Sequence, residues 1–176
     1  MNHNYQKDIS GCGLTGLISR KRRRISGSEI VKSLCLMTDR GNGLGAGYAA
    51  YGIYPDFKDF YAFHIMYDEP SVKRTVEDYL KSNYHIEKVE EIPTKAVKAI
   101  PISPMLVRYF VSPLKERLAG EQEETDFVVN TVMKVNSEID GAYIFSSGKN
   151  MGAFKGVANP SEIAEFFRID EYEGYI

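Results

Sequence analysis

Tryptophan is absent from this chain of 176 residues, cysteine occurs twice and histidine three times. Two cysteines close at most one bridge, so a disulfide-built scaffold is excluded. His3, His64 and His85 stand far apart and share no ligand spacing with Cys12 or Cys35, so no structural zinc is expected. No apolar run approaches the roughly 18 residues that cross a bilayer. Met1 to Ser10 is polar and lacks the apolar stretch of a secretory signal, so the expected setting is the reducing cytoplasm, with no membrane partner. Neither sign of charge dominates. The 22 Lys and Arg against 24 Asp and Glu leave a formal charge of -2, without the positive field that draws nucleic acid. What is present is 43% hydrophobic residues, enough to bury a core for one domain or for one domain carrying a substantial insertion.

The chain divides into stretches with different patterns. From Cys12 to about Tyr54 the order reads strand, basic turn, helix, glycine-rich turn, strand. Leu14, Leu17 and Ile18 are expected to anchor the first strand in the core. Ser26 is placed to cap the helix, with Glu29 three residues on as in a capping box, and Ile30, Leu34 and Met37 recur at helical spacing. Cys35 falls in that helix as a packing residue. The run Arg20 to Arg24 has no interleaved aromatics and reads as an exposed turn, with docking of an acidic partner as its alternative.

A second stretch, residues 56–147, predicts strand Phe60 to Tyr67, helix Pro70 to Ser82 and strand Ile86 to Ile92. Strand Met105 to Val111, helix Glu124 to Ile139 and strand Ala142 to Phe145 follow. The succession β-α-β-β-α-β predicts a ferredoxin-like unit: two helices on one sheet face, the other face open for docking. His64 and His85 fall on or beside its strands and are expected to pack or to face solvent. Residues 148–176 then predict a hairpin turn at Gly148-Lys149-Asn150 and a strand from Gly152 to Val157. A helix capped by Asn159 with Pro160 at its first position comes next, and a strand begins near Tyr172. With no polar tail or helix-ending signal after the start of that strand, the chain reads as cut short.

The chemistry concentrates in two glycine-rich segments. In Gly11-Cys12-Gly13-Leu14-Thr15-Gly16, the cysteine sits between residues without side chains, behind a leader whose removal would create an N-terminal residue. Such a residue carries both a thiol and an α-amine of pKa about 8, so nucleophile and base coincide. The alternative is a small buried residue on a first strand. About thirty residues later comes Asp39-Arg40-Gly41-Asn42-Gly43-Leu44-Gly45-Ala46-Gly47. Gly41, Gly43 and Ala46 match the loose spacing of a dinucleotide fingerprint. That fingerprint, however, follows a strand and opens a helix, and here the order is reversed.

Taken together, Cys12-Gly13 and Arg40-Gly41 resemble the class II, N-terminal-nucleophile glutamine amidotransferases, and most closely proteins related to the amidotransferase domain of glutamate synthase. Ser146 to Gly152 and Glu171 to Ile176 share the likeness, which extends over essentially the whole chain. The resemblance implies an α+β fold: an N-terminal-nucleophile hydrolase-like α/β sandwich, incomplete here, with the ferredoxin-like unit inserted. It implies a removable leader over residues 1–11, the first part of the amidotransferase domain over 12–55, the insertion over 56–147 and a return to that domain over 148–176. It implies Cys12 as catalytic nucleophile, Gly13, Arg40 and Gly41 as supports of the site, L-glutamine as substrate and a synthase subunit or domain as recipient of ammonia. No cofactor or metal is implied. The family's carboxylate-binding arginine, its Asn-Gly oxyanion pair and its amine-binding aspartate find no counterparts up to Ile176, so the substrate-binding residues are expected beyond it, and exposed edges would favour self-association. The rival expectation is a non-catalytic regulatory module that docks a partner through the ferredoxin-like unit.

Overall fold

A computed structural model describes residues 11–21, 23–41, 43–118 and 123–175; the expected leader falls almost wholly outside them. The described residues form an α+β fold, with four α-helices and antiparallel sheets among them.

The middle of the chain supplies β3 (Tyr61–Tyr67), α2 (Pro70–Asn83), β4 (Tyr84–Glu91), β5 (Met105–Pro113), α3 (Glu124–Glu138) and β6 (Ala142–Ser146). This is the predicted β-α-β-β-α-β succession, with each element within a few residues of its expected bounds. The sheet order is β4-β5-β3-β6, every neighbour antiparallel. Alternation along the two central strands divides their side chains between two cores. Phe63, Ile65 and Tyr67 of β3 and Val107, Tyr109 and Val111 of β5 pack with Val76 and Leu80 of α2 and Val128 and Val135 of α3. Ala62, Leu106 and Phe110 join a second core on the opposite face. The face expected to stand open is therefore covered by the chain itself.

The cover is built from segments at both ends of the described chain. β2 (Ala46–Tyr51) pairs with β7 (Met151–Gly156), and the short β1 (Ile25–Ser26) pairs with β8 (Glu173–Gly174). Helices α1 (Gly27–Cys35) and α4 (Pro160–Phe166) complete the layer. Tyr48, Phe154, Ile163 and Phe166 are buried there against Phe110, which stacks on Phe57 with ring centroids 4.2 Å apart. Burying a side chain of this size contributes about 1.5–3 kcal/mol. Ser26 caps α1 by accepting from the Ser28 backbone N–H at 3.3 Å. Glu29 does not close a capping box; its carboxylate accepts from Lys32 Nζ at 2.9 Å. At α4 the Glu162 carboxylate does reach back to the Asn159 N–H, at 3.1 Å.

Two further expectations are corrected. Residues Cys12 to Ile18 form no strand. Their exposure alternates, with Gly13, Thr15 and Leu17 half-buried and Cys12, Leu14, Gly16 and Ile18 turned outward, Leu14 being 91% exposed. That is the pattern of an extended chain without a ladder: among the described residues, the backbone from 11 to 19 makes one backbone bond, from Ser19 N–H to Tyr175 C=O. The second correction concerns the turn at Gly148-Lys149-Asn150, which links strands of different sheets and is no β-hairpin. Asn150 sits in the left-handed region at φ 49°. Its side-chain oxygen accepts from Tyr54 N–H at 2.9 Å and its carbonyl accepts from Gly52 N–H at 2.7 Å.

Two effects separate at Asn150. Asn150→Gly keeps the left-handed backbone and loses one hydrogen bond, at about 1 kcal/mol. Asn150→Ala loses the same bond and adds the left-handed strain, a further cost of about 1 kcal/mol or more. Urea unfolding of both variants should rank wild type above Gly above Ala; equal midpoints for all three would show that the turn is not held in this way.

Candidate functional site

Glycine lets the cysteine segment lie directly on the turn after α1. A Cβ at Gly11 would stand 2.4 Å from the Arg40 carbonyl oxygen, and one at Gly13 would stand 2.7 Å from Met37 Cβ. Such contacts are closer than any side chain tolerates, so residues without one are required for this approach. Thr15 Oγ1 and Ser33 Oγ, 2.6 Å apart, tie the same segment to α1. Sequence positions about thirty apart, Cys12-Gly13 and Arg40-Gly41, are thus neighbours. The turn itself is a single 3-10 turn over Thr38–Arg40.

Cys12 is exposed and its thiol is free. Its nitrogen is in a peptide bond with Gly11, so no α-amine exists at this position in the intact chain. Arg40 contributes through its backbone: its carbonyl meets the cysteine segment, while the guanidinium makes no hydrogen bond or ion pair among the described residues. Cys35 ends α1, half-buried; burial and then this thiol push the Tyr48 phenol above its ordinary pKa.

Cys12, Gly13 and Gly41 lie on the lining of a cavity of about 560 Å³. The lining also takes in Gly47 and Ala49 of β2 and the apolar residues Ile30, Leu34 and Phe154. Among the described lining residues Lys155 is the sole Lys, Arg, Asp or Glu. The cavity therefore offers a thiol, backbone amides and carbonyls, but no carboxylate or guanidinium to hold an amino acid by its charged groups. Among the described residues no three His, Cys, Asp or Glu side chains converge as a metal site.

Sequence reasoning missed a second constellation, buried between the two layers. His64 on β3 and Arg108 on β5 are cross-strand partners on the face turned toward β2 and β7. His64 is fully buried. Its Nδ1 lies 3.1 Å from the Ala153 carbonyl oxygen, which can only accept, so Nδ1 carries the proton and Nε2 is the acceptor. The Tyr54 hydroxyl, 2.8 Å away, donates to Nε2 and itself accepts from Arg108 Nη1 at 2.9 Å. Arg108 Nη1 also reaches the Tyr172 hydroxyl at 3.2 Å, and Nε donates to Glu90 Oε1 at 2.8 Å. The Arg108 guanidinium lies over the Tyr54 ring, 4.6 Å from its centroid. Gly152 leaves room for the cluster, since a Cβ there would be 2.7 Å from His64 Cε1. Burial, with the positive charge of Arg108 added to it, holds the imidazole down to about pKa 3. The available signal was the placing of His64 and Arg108 inside otherwise apolar strands, but their pairing depends on register. His85, by contrast, is exposed at the start of β4 beside Glu87.

No family model matches the chain. It is 44% identical over 173 residues to an uncharacterized protein of Archaeoglobus fulgidus, a match that covers 97% of this chain and 46% of that protein. The chain thus spans less than half the length of the relative it matches. Among the described residues, no helix is long and apolar enough to cross a membrane.

The neutral His64 ties stability to pH. In the unfolded chain histidine titrates near 6.5, whereas in the fold it takes a proton only near 3. Between these values the unfolded state binds more protons, so stability falls as pH drops below 6.5, by up to about 1.4 kcal/mol per pH unit. Thermal melts between pH 7 and 4 should show this loss, and His64→Gln should flatten it. Parallel pH profiles for the two proteins would remove His64 from the acid response.

Proposed function

We propose that the chain carries the nucleophile-bearing part of a class II glutamine amidotransferase of the glutamate-synthase-related kind. One observation supports the reading above all others: the cysteine segment and the Arg40-Gly41 turn, the two segments that suggested the family, touch along one side of a single cavity. The chemistry would begin once the Gly11–Cys12 peptide bond is cleaved and the Cys12 α-amine is free. That amine takes the thiol proton; the sulfur forms a bond to the glutamine side-chain carbonyl carbon; the C–N bond breaks, and the amine returns the proton to departing ammonia. Water then cleaves the thioester to give glutamate, and the ammonia passes to a synthase subunit or domain.

Gly13 would support this chemistry by close backbone approach, Arg40 by the carbonyl on which the nucleophile's segment rests, and Gly41 as the next residue of that turn, on the cavity lining. The reading assigns the groups that hold glutamine's carboxylate and amine, and the oxyanion donors, to sequence outside this chain; the longer Archaeoglobus relative has room for them. It treats residues 56–147 as an insertion in the amidotransferase domain, in keeping with the pairing of β2 with β7 across that interval. The rival module loses its most natural surface, because the sheet face left free by α2 and α3 is occupied by β2, β7 and α4.

In an assembly that hydrolyses glutamine, Cys12→Ala should lower turnover by at least about three orders of magnitude, the scale on which loss of a nucleophile acts. Cys35→Ala should leave it near wild type. Intact mass of the active form should lack residues 1–11. Undiminished ammonia release by Cys12→Ala, at matched protein levels, would overturn the assignment.

A further inference from the structure

The cavity beside Cys12 is a slot between two stretches of unpaired backbone. On one side lies the edge of β2. Gly52 N–H donates to Asn150 C=O, so residues 46, 48 and 50, in phase with it, point their backbone groups at β7, and 47, 49 and 51 point theirs away. Tyr51 C=O is taken by Tyr175 N–H at 2.8 Å. The backbone groups of Gly47 and Ala49 have no hydrogen-bond partner among the described residues. On the other side lies the extended segment Cys12 to Ile18, whose backbone groups likewise have none among the described residues. Proteins that leave a sheet edge free blunt it with lysine, proline or a bulge. The run Gly45 to Ala50 carries no charge and no proline, and its pairing with β7 is continuous.

From this geometry we infer that the slot receives one β-strand, added antiparallel to β2 and flanked by residues 12–18. It comes from the kind of polypeptide that makes up the unmatched remainder of the Archaeoglobus relative. Three features choose this occupant. The ladder on this edge already begins at Tyr175, so an added strand continues an existing pairing. The apolar lining of Ile30, Leu34 and Phe154 asks for apolar side chains at alternate positions of that strand. More than half of the relative lies outside the match, which is length enough to supply a strand. Leu14, 91% exposed, lies on the lining of the cavity, where such a partner would cover it. The strand fills the inner part of the cavity and leaves Cys12 at the rim. The inference goes beyond the glutaminase reading and is tested without an activity assay.

The 176-residue chain is co-expressed with the unmatched portion of the Archaeoglobus protein as a separate polypeptide, and hydrogen exchange is followed with and without it. The expected result is a one-to-one complex in which the amides of Gly47 and Ala49, and those of Gly13, Thr15 and Leu17 in phase with the Ser19 N–H that meets Tyr175, exchange on the order of 100-fold more slowly. Ala49→Pro, which removes an outward N–H that this chain does not use, should abolish the complex and leave the melting temperature of the isolated chain unchanged. Ala49→Lys, on an exposed side chain, serves if the proline variant does not fold. Protection of the same amides in the isolated chain, with a dimer seen by light scattering, would assign the slot to a second copy and overturn the inference. So would a complex that leaves these amides unprotected, or the absence of any complex. A protected complex that releases no ammonia from glutamine would leave the strand in place and refute only the glutaminase reading.

Discussion

Arg108 reaches its hydrogen-bond partners from the centre of a sheet, and that placement governs how the two halves of the molecule meet. A buried guanidinium is costly unless its donors and its charge are met. Here Glu90, held below the ordinary carboxylate range by Lys88 and Arg108 despite the opposing effect of burial, supplies the charge. Tyr54 and Tyr172 supply acceptors from outside the sheet. Because those tyrosines belong to the covering layer, Arg108 is satisfied only when that layer is docked. His64 adds to the same constraint. Its proton is committed to Ala153, its lone pair to Tyr54, and both partners belong to the layer opposite.

This explains why a sheet of this topology has no open face. The apolar residues Ala62, Leu106 and Phe110 favour covering in a non-directional way, whereas Arg108 and His64 dictate which backbone and which hydroxyls must lie above them. The polar groups of this junction are fully paired, and none of the buried side-chain N or O atoms among the described residues lacks a partner. The contrast with the other side of the covering layer is sharp. Around Cys12 the backbone lies extended, with no backbone partner from residue 12 to 18 among the described residues, and Leu14 points to solvent. One side of the layer is a finished interface and the other has the composition of an interior.

Much of the fold was legible because its elements carry their own periodicity. Val76 and Leu80 on α2, Val128 and Val135 on α3, and the alternation along β3 and β5 each signal burial of one face within a short window. Local capping was legible too, at Ser26 and Asn159, since a cap depends on residues three or four apart. The first strand was misread because Leu14, Leu17 and Ile18 satisfy an apolar pattern while a strand also requires a neighbour, which no window of sequence reveals. Glu29 was misread for a similar reason: Lys32 competes for the carboxylate that would have closed the box.

For the candidate site, the residue types and their spacing were readable directly. A cysteine between glycines and an Arg-Gly turn after a helix are chemical statements that need no coordinates. That the two segments touch, that Arg40 meets the cysteine segment through its carbonyl, and that His64 meets Arg108 are facts of register and close approach between distant segments. Local sequence determined which stretches became helix or strand and which residues carry a thiol or lack a Cβ, because backbone preference and hydrophobic period act over a few residues. Only the tertiary structure decided which sheet face was covered, which nitrogen of His64 bears its proton and which edge of β2 faces away from β7. Each of those is set by hydrogen bonds between groups that the chain brings together only after it has folded.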